Sequence, residues 1–193
     1  MPIINFGKKE ILCKLVYYGP GFCGKTTNLE WLHHSIDPDM RGDLLNLATE
    51  TERTIFFDLM PLEVGKIQGF DVRFQLYTVP GQVQYVNSRK SILSGVDGLV
   101  FVADSSPARW SANLESMEDL AANLEDYSLS LGGLPWVMQY NKRDIPGAVP
   151  VVDLERELNK NAVPAHEAVA VTGLGVSDTL RSLSQLVLET FNK

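Results

Sequence analysis

The sequence has little cysteine, no long apolar run and no excess of positive charge. Its 193 residues include two cysteines, Cys13 and Cys23, which are too few for a disulfide framework. A reducing, cytoplasmic setting is therefore expected. No run of about 18 apolar residues is available to cross a membrane. The formal net charge is -7, from 17 basic and 24 acidic residues, which argues against a broad nucleic-acid surface.

Signals for secretion and lipidation are also missing from the sequence. Residues 1–5 show no basic-then-apolar pattern of a signal peptide. Pro2 stands where myristoylation needs a glycine, and residues 191–193 contain no cysteine for prenylation. We therefore expect no direct membrane anchor, and any membrane association would come through a partner.

What is present fits one α/β domain over residues 1–193. The hydrophobic fraction of 45% and the charged fraction of 21% are those of an ordinary globular protein. Strand-like and helix-like segments alternate: strands are predicted at 11–18, 54–59, 72–77, 98–104, 136–141 and 167–171, and helices at 25–34, 111–129, 151–158 and 177–191. Turn residues at 63–69 predict an antiparallel hairpin. The expected fold is a mostly parallel, doubly wound sheet with one antiparallel strand.

A glycine-rich loop between the first of these strands and the first helix carries the phosphate-binding pattern G-x-x-x-x-G-K-[ST]. It runs from Gly19 to Thr26, GPGFCGKT, and so identifies a P-loop NTPase. Inward N–H groups and the helix dipole would hold phosphate oxygens, with Lys25 reaching the β- and γ-phosphates. Thr26 is expected to ligate Mg²⁺. The remaining predicted phosphate contacts are Gly19, Gly21, Gly24 and Thr27.

Cys23, inside this loop, has two possible interpretations. Its position near a helix N-terminus could lower its pKa and make it a reactive thiolate. The other interpretation, which we prefer, is a small side chain that fits the loop.

A second motif reads the base. Asn141-Lys142-Arg143-Asp144 follows directly on a predicted buried strand. The Asp144 carboxylate can accept hydrogen bonds from guanine N1–H and the 2-amino group, and adenine offers no such pair. Asn141 is expected to brace the loop and the Lys142 stem to lie along the base. NKxD alone is a short pattern typical of many polar turns, but after a P-loop it indicates a guanine nucleotide.

The combined motifs GPGxxGKTTN, LATExERTxFFDxxP, LYTVPGQ and NKRD resemble the MglA family of prokaryotic small GTPases, which act in cell polarity and in gliding or twitching motility. The resemblance covers the whole chain. It implies a small-GTPase fold and a GTP/GDP switch that depends on Mg²⁺. Residues 168–176, AVAVTGLGV, resemble the loop in which a backbone N–H meets the guanine oxygen, and Ala170 is the matching residue.

The two switch segments depart from the usual small-GTPase pattern at one position. The second switch reads Thr78-Val79-Pro80-Gly81-Gln82, so a threonine replaces the aspartate that usually helps to hold the water shell of Mg²⁺. Gly81 would offer its N–H to the γ-phosphate and Gln82 would orient the attacking water. In the first switch Thr49, Thr51 and Thr54 compete for the metal contact, and Thr54 is chosen because it precedes the strand.

Arg53 then lies beside the γ-phosphate. By the resemblance it is an arginine finger from within the same chain; on the local charges alone it could equally be a surface arginine paired with Glu50 or Glu52. The predicted catalytic residues are therefore Arg53, Gln82 and Lys25, with Thr26 and Thr54 on the metal. The resemblance also implies a roadblock-fold MglB-type homodimer as GTPase-activating protein, motility or polarity effectors, and recruitment to a cell pole by partners.

Two other functions are alternatives to the GTPase. A GTP-dependent binding scaffold with little hydrolysis is favoured by the missing aspartate and disfavoured by Arg53 and Gln82. A nucleotide kinase would need an arginine-rich lid and a monophosphate site, and NKRD would have no function there.

Overall fold

A computed structural model describes residues 2–47, 57–80 and 86–192. Eight strands lie in this part of the chain: Ile3–Asn5 (β1), Glu10–Tyr18 (β2), Leu45–Leu47 (β3), Phe57–Ile67 (β4), Phe70–Thr78 (β5), Gly98–Asp104 (β6), Trp136–Asn141 (β7) and Ala165–Glu167 (β8). The α-helices are Lys25–Ser35 (α1), Val86–Leu93 (α2), Trp110–Glu125 (α3), Val151–Leu158 (α4) and Val176–Glu189 (α5). None of these described helices could cross a membrane.

The strands form one sheet in the order β3-β4-β5-β2-β6-β7-β8, with β1 paired to β2. Strands β5, β2, β6, β7 and β8 pair in parallel, and β4 runs antiparallel to β5. This confirms the predicted fold class. The short strands β1 and β3, which were not predicted, add antiparallel pairs with β2 and β4.

Helices cover both faces of the sheet. One apolar cluster packs α1 and α5 against the sheet and includes Leu29, Phe74 and Leu183. A second cluster packs α2, α3 and α4 on the other face and includes Leu93, Phe101 and Leu154. Strand β6 has all seven residues buried, as expected of a central parallel strand covered on both sides. The carboxyl ends of β2, β6 and β7 therefore meet at one edge, where ligands bind in such sheets.

The β4–β5 hairpin is longer than predicted. The segment 63–69 was expected to be a turn, but β4 continues to Ile67, with a bulge between Glu63 and Gly65. The turn itself is only Gln68-Gly69, with φ values of 50° and 83°. Positive φ at both central residues is the geometry that suits a two-residue hairpin, so the pairing extends almost to the tip.

The last strand also differs from the prediction. Residues 167–171 were expected to form it, whereas β8 spans Ala165–Glu167. The backbone of Ala168 accepts from Arg143 N, and Ala170 N donates to the Asn141 side chain. These groups are occupied by the NKRD segment rather than by a strand, so the chain leaves the sheet after Glu167 and forms a loop beside that segment. Helix α2 was not predicted; its sequence has few apolar residues.

Candidate functional site

The phosphate loop connects β2 to α1 through a backbone that needs glycine at two positions. Gly19 has φ 141° and a Cβ there would lie 2.2 Å from Val102 O. Gly24 has φ 102°, and a Cβ there would lie 2.3 Å from Asn141 Nδ2. Gly24 is also the N-cap of α1 and supplies no side-chain cap. The first N–H groups of the helix are thus left for another acceptor, and an anion is the ligand that suits them.

The Lys25 side chain is folded into the phosphate loop. Its residue is 6% exposed, and Nζ donates to Gly19 O at 2.9 Å and to Pro20 O at 2.8 Å. The ammonium also donates to Cys23 Sγ at 3.6 Å, so all three of its donors are directed at atoms of the loop. On the outer side of the loop, Arg109 Nη2 donates to Gly21 O at 2.8 Å. The hydrogen bonds from Lys25 and Arg109 together hold the loop in the shape of a cradle.

Cys23 does not resemble a reactive thiol. It is fully buried, and burial raises the pKa of its thiol, with the nearby Lys25 ammonium opposing that rise only in part. The thiol is therefore protonated at neutral pH, and Cys23 acts as a small side chain that fills space under the loop. Of its two interpretations from sequence, this environment favours the second.

Asn141, at the end of β7, joins three loops. Its residue is 2% exposed. Its Nδ2 donates to Cys23 O at 2.7 Å, in the phosphate loop. Its Oδ1 accepts from Ala170 N at 2.9 Å, in the loop after β8. The phosphate loop, the NKRD segment and residues 168–176 are consequently held together by a single buried amide.

The other NKRD residues have different environments. Lys142 adopts φ 65°, and its Nζ donates to Asp104 Oδ2 at 2.6 Å, with the Asp104 side chain 1% exposed. This ion pair fixes the end of the Lys142 side chain at Asp104, the last residue of β6. Asp144 is exposed, as a group that meets a ligand should be. Ala170 N already donates to Asn141, so a guanine oxygen would have to share this N–H or displace its partner.

Thr26 and Thr27 lie in the first turn of α1 and differ in their contacts. Thr27 is half-buried. Thr26 Oγ1 donates to Asp58 Oδ2 at 2.6 Å. The same carboxylate oxygen accepts from Thr78 Oγ1 at 2.7 Å, and Asp58 Oδ1 accepts from Asn46 Nδ2 at 2.9 Å. Hydroxyl, carboxylate and amide oxygens are the ligands that Mg²⁺ prefers, so these residues fit that ion.

No group of three or more His, Cys, Asp or Glu side chains gathers at one point within residues 2–47, 57–80 and 86–192. Mg²⁺ in nucleotide-binding sites is held by one or two side chains together with substrate phosphates and waters.

A polar network links the entrance to the phosphate loop with the beginning of the second switch. Tyr18, which directly precedes Gly19, donates through its hydroxyl to Asp119 Oδ2 on α3. Arg89 on α2 forms an ion pair with the same carboxylate at 2.8 Å and donates to Pro80 O at 3.4 Å. The Asp119 carboxylate of α3 therefore joins the end of β2 to α2, and Arg89 extends this link to Pro80, after β5.

Several predicted site residues lie outside the described residues: Arg53, Thr54, Gly81 and Gln82, together with the rejected candidates Thr49 and Thr51. The structure brings together Gly19, Gly21, Gly24, Lys25, Thr26, Asn141, Lys142 and Ala170 at the carboxyl edge of the sheet. Sequence reasoning assigned no function to Asp58 or Asp104. The signal in the sequence is an acidic residue within or directly at the end of an apolar strand, in FFDLM and GLVFVAD. A charged residue at such a position is rarely buried without a partner or a ligand.

The comparisons with known proteins agree with this geometry. Residues 6–187 match the model of the ADP-ribosylation factor family, Arf. The chain is 53% identical, over 193 residues, to the Mutual gliding-motility protein MglA of Myxococcus xanthus (strain DK1622), covering 100% of this chain and 99% of the relative. It is 27% identical over 200 residues to ADP-ribosylation factor-like protein 6 of Caenorhabditis briggsae, covering 97% and 94% of the two chains.

A third relative, ADP-ribosylation factor-like protein 4D of Mus musculus, is 30% identical over 126 residues, which is 61% of this chain and 60% of the relative. The full-length match at 53% identity, the family model over residues 6–187, and a P-loop joined to an NKRD segment by one asparagine all point to the same group. The chain belongs to the MglA family of small Ras-like GTPases, within the Arf-related GTP-binding proteins.

Proposed function

We propose that this chain is a GTP/GDP switch that hydrolyses GTP slowly alone and faster with a GTPase-activating protein, and that it acts in cell polarity or in gliding or twitching motility. The observation that carries the proposal is the Asn141 side chain. It joins the loop that suits phosphates to the two loops that suit a guanine base, at 2.7 Å and 2.9 Å. A ligand with both parts would lie across these loops at the carboxyl edge of the sheet.

Different residues at this edge of the sheet would bind the phosphates, the guanine base and the metal. Lys25 and the N-terminal N–H groups of α1 would hold the β- and γ-phosphates, and Gly19, Gly21, Gly24 and Thr27 complete the cradle. Asp144 would accept two hydrogen bonds from guanine, while Lys142, fixed by Asp104, lies along the base. Mg²⁺, when bound, would neutralise charge between the β- and γ-phosphates, and Thr26 and Thr54 are the residues that would ligate it.

Hydrolysis is proposed to depend on positioning and on charge. Lys25 and Arg53 would stabilise the charge that develops on the transferred phosphoryl group, Gly81 would contact the γ-phosphate, and Gln82 would orient the water. The proposed partner is a roadblock-fold MglB-type homodimer that completes this arrangement. The motility or polarity role rests on the 53% identity to the Mutual gliding-motility protein MglA.

Asp144→Asn tests the base assignment. Two hydrogen bonds to a charged acceptor are worth about 1.5–3 kcal/mol each, so losing this pair should weaken GTP binding by about 100-fold or more. Competition binding of GTP, XTP and ATP measures the preference. Asp71→Asn is the matched control, because Asp71 is exposed at the opposite end of β5 and pairs with Lys66. A mutant that keeps the native preference for GTP would remove Asp144 from the base site.

Arg53→Ala and Gln82→Leu separate the switch from the alternative of a GTP-binding scaffold with little hydrolysis. Both variants should retain GTP binding, because their contacts strengthen only as charge develops. Arginine fingers contribute about 10³–10⁵ in rate, so stimulated turnover by Arg53→Ala should fall by about 1,000-fold. Arg181→Ala, an exposed arginine on α5, is the control. Wild-type stimulated turnover in Arg53→Ala would assign the arginine to the partner, and no turnover even in the wild type would favour the scaffold.

A further inference from the structure

A buried carboxylate lies where the metal site is expected, and it comes from β4. Asp58 is on β4, one residue before Leu59, which pairs with Tyr77 of β5. The Asp58 residue is 4% exposed. Its backbone N–H donates to Thr78 Oγ1 at 2.9 Å, so Asp58 and Thr78 are linked twice. Thr78 occupies the position at which the aspartate is missing.

Among the described residues, the contacts of Asp58 do not compensate its charge. Its two oxygens accept hydrogen bonds from three neutral donors: the Thr26 hydroxyl, the Thr78 hydroxyl and the Asn46 amide. In the part of the chain that the structure describes, no Lys or Arg forms an ion pair with it. Burying an anion without a cation is unfavourable, so a bound cation at this point would stabilise the arrangement.

The direction of the Thr26 hydrogen bond indicates that Thr26 would ligate the cation and that Asp58 would support Thr26. A hydroxyl has one hydrogen and two lone pairs, and Thr26 gives its hydrogen to Asp58 at 2.6 Å. Its lone pairs are then directed away from the carboxylate and remain for a metal. Asp58 thus accepts a hydrogen bond from the threonine that would ligate the metal, which is the usual relation of an outer-shell carboxylate to a metal ligand.

We propose that Asp58 is the positioning residue that holds Thr26 and the water shell of Mg²⁺, in place of the aspartate that ordinary small GTPases carry at the position of Thr78. The exchange is reciprocal: the threonine at 78 leaves room for a carboxylate from the adjacent strand and donates a hydrogen bond to it. This inference rests on the proposed nucleotide-binding function.

The test measures how Mg²⁺ slows the release of a fluorescent GDP from the purified full-length chain. Asp58→Asn keeps the shape of the side chain and removes its charge. Outer-shell partners of a metal contribute about 10–100-fold to its affinity, so the Mg²⁺ concentration that gives half of the slowing should rise by that factor. Asp71→Asn should leave it unchanged. The double variant Asp58→Asn/Thr78→Asp returns the charge to the usual position and should recover most of the loss.

Three outcomes overturn the inference. An unchanged Mg²⁺ dependence in Asp58→Asn would give Asp58 a merely structural role. A lower Mg²⁺ concentration for half of the slowing in Asp58→Asn would show that the carboxylate competes with the metal for Thr26. Absence of GDP binding by the wild type would contradict both this inference and the proposed function. If the wild type binds GDP and Asp58→Asn shows the same Mg²⁺ dependence as the wild type, only the inference is contradicted.

If Asp58→Asn does not fold, Thr78→Asp carries the test. Its new carboxylate would adjoin that of Asp58, and the repulsion should lower the Tm of the GDP-bound chain without Mg²⁺. Added Mg²⁺ should restore the Tm, and K⁺ at equal ionic strength should not. A Tm that Mg²⁺ fails to restore would overturn the inference.

Discussion

Removing the Asn141 side chain should separate the loops of the nucleotide site and destabilise the fold. In Asn141→Ala, Cys23 O and Ala170 N lose partners at 2.7 Å and 2.9 Å. A buried polar group left unpaired costs about 1–3 kcal/mol, and because this edge of the sheet is open to water we expect a total of about 2–4 kcal/mol. With a urea dependence of about 2–3 kcal/mol per M, the unfolding midpoint should fall by about 1 M.

Urea unfolding without nucleotide measures the stability, and GDP binding measures the site. Asn159→Ala is the control, because Asn159 is also buried and also bonds a loop, to Glu155 and to both backbone groups of Val163. It should reduce stability by a similar amount and leave GDP affinity unchanged. Asn141→Asp keeps the acceptor for Ala170 but turns an oxygen towards Cys23 O, so it should be no better than alanine. The reasoning is refuted if Asn141→Ala unfolds at the wild-type urea concentration, or if the control loses GDP affinity equally.

Two further predictions concern the phosphate loop and the cysteines. Gly24→Ala should abolish nucleotide binding and lower the Tm, because the backbone has φ 102° there and an added Cβ would lie 2.3 Å from Asn141 Nδ2. Gly147→Ala is the control, because Gly147 also has a positive φ but has open space around it. Equal loss of nucleotide binding in both variants would contradict the steric argument. Neither cysteine should react with a thiol reagent in the native chain at pH 8. Burial raises the pKa of Cys13 from 9.0 to about 12, which reduces its thiolate about a thousandfold, and the pKa of Cys23 is raised for the same reason. Labelling should reach two thiols per chain only after unfolding, and rapid native labelling of either would contradict the burial.

The sequence alone determined those strands and helices whose bounds depend on residues adjacent in the chain. Strands β6 and β7 were predicted at 98–104 and 136–141, where the structure has them, because short apolar runs bounded by turns are buried from both sides. Helix α4 was also predicted at its observed bounds. The phosphate loop was equally clear, since its glycines, lysine and threonine are contiguous and their spacing alone specifies the chemistry.

Tertiary structure decided the points that depend on residues distant in sequence. The end of β8 was misplaced because residues 168–171 bond to the NKRD segment rather than continue a strand. Asp58 carries no local sign of its neighbours: Thr26 is 32 positions away, and Thr78 is 20 positions away across a hairpin whose turn had been placed too broadly. A linear pattern shows that an aspartate is absent at 78, but only the antiparallel pairing of β4 with β5 brings another carboxylate to that place, because side chains meet across strands according to register.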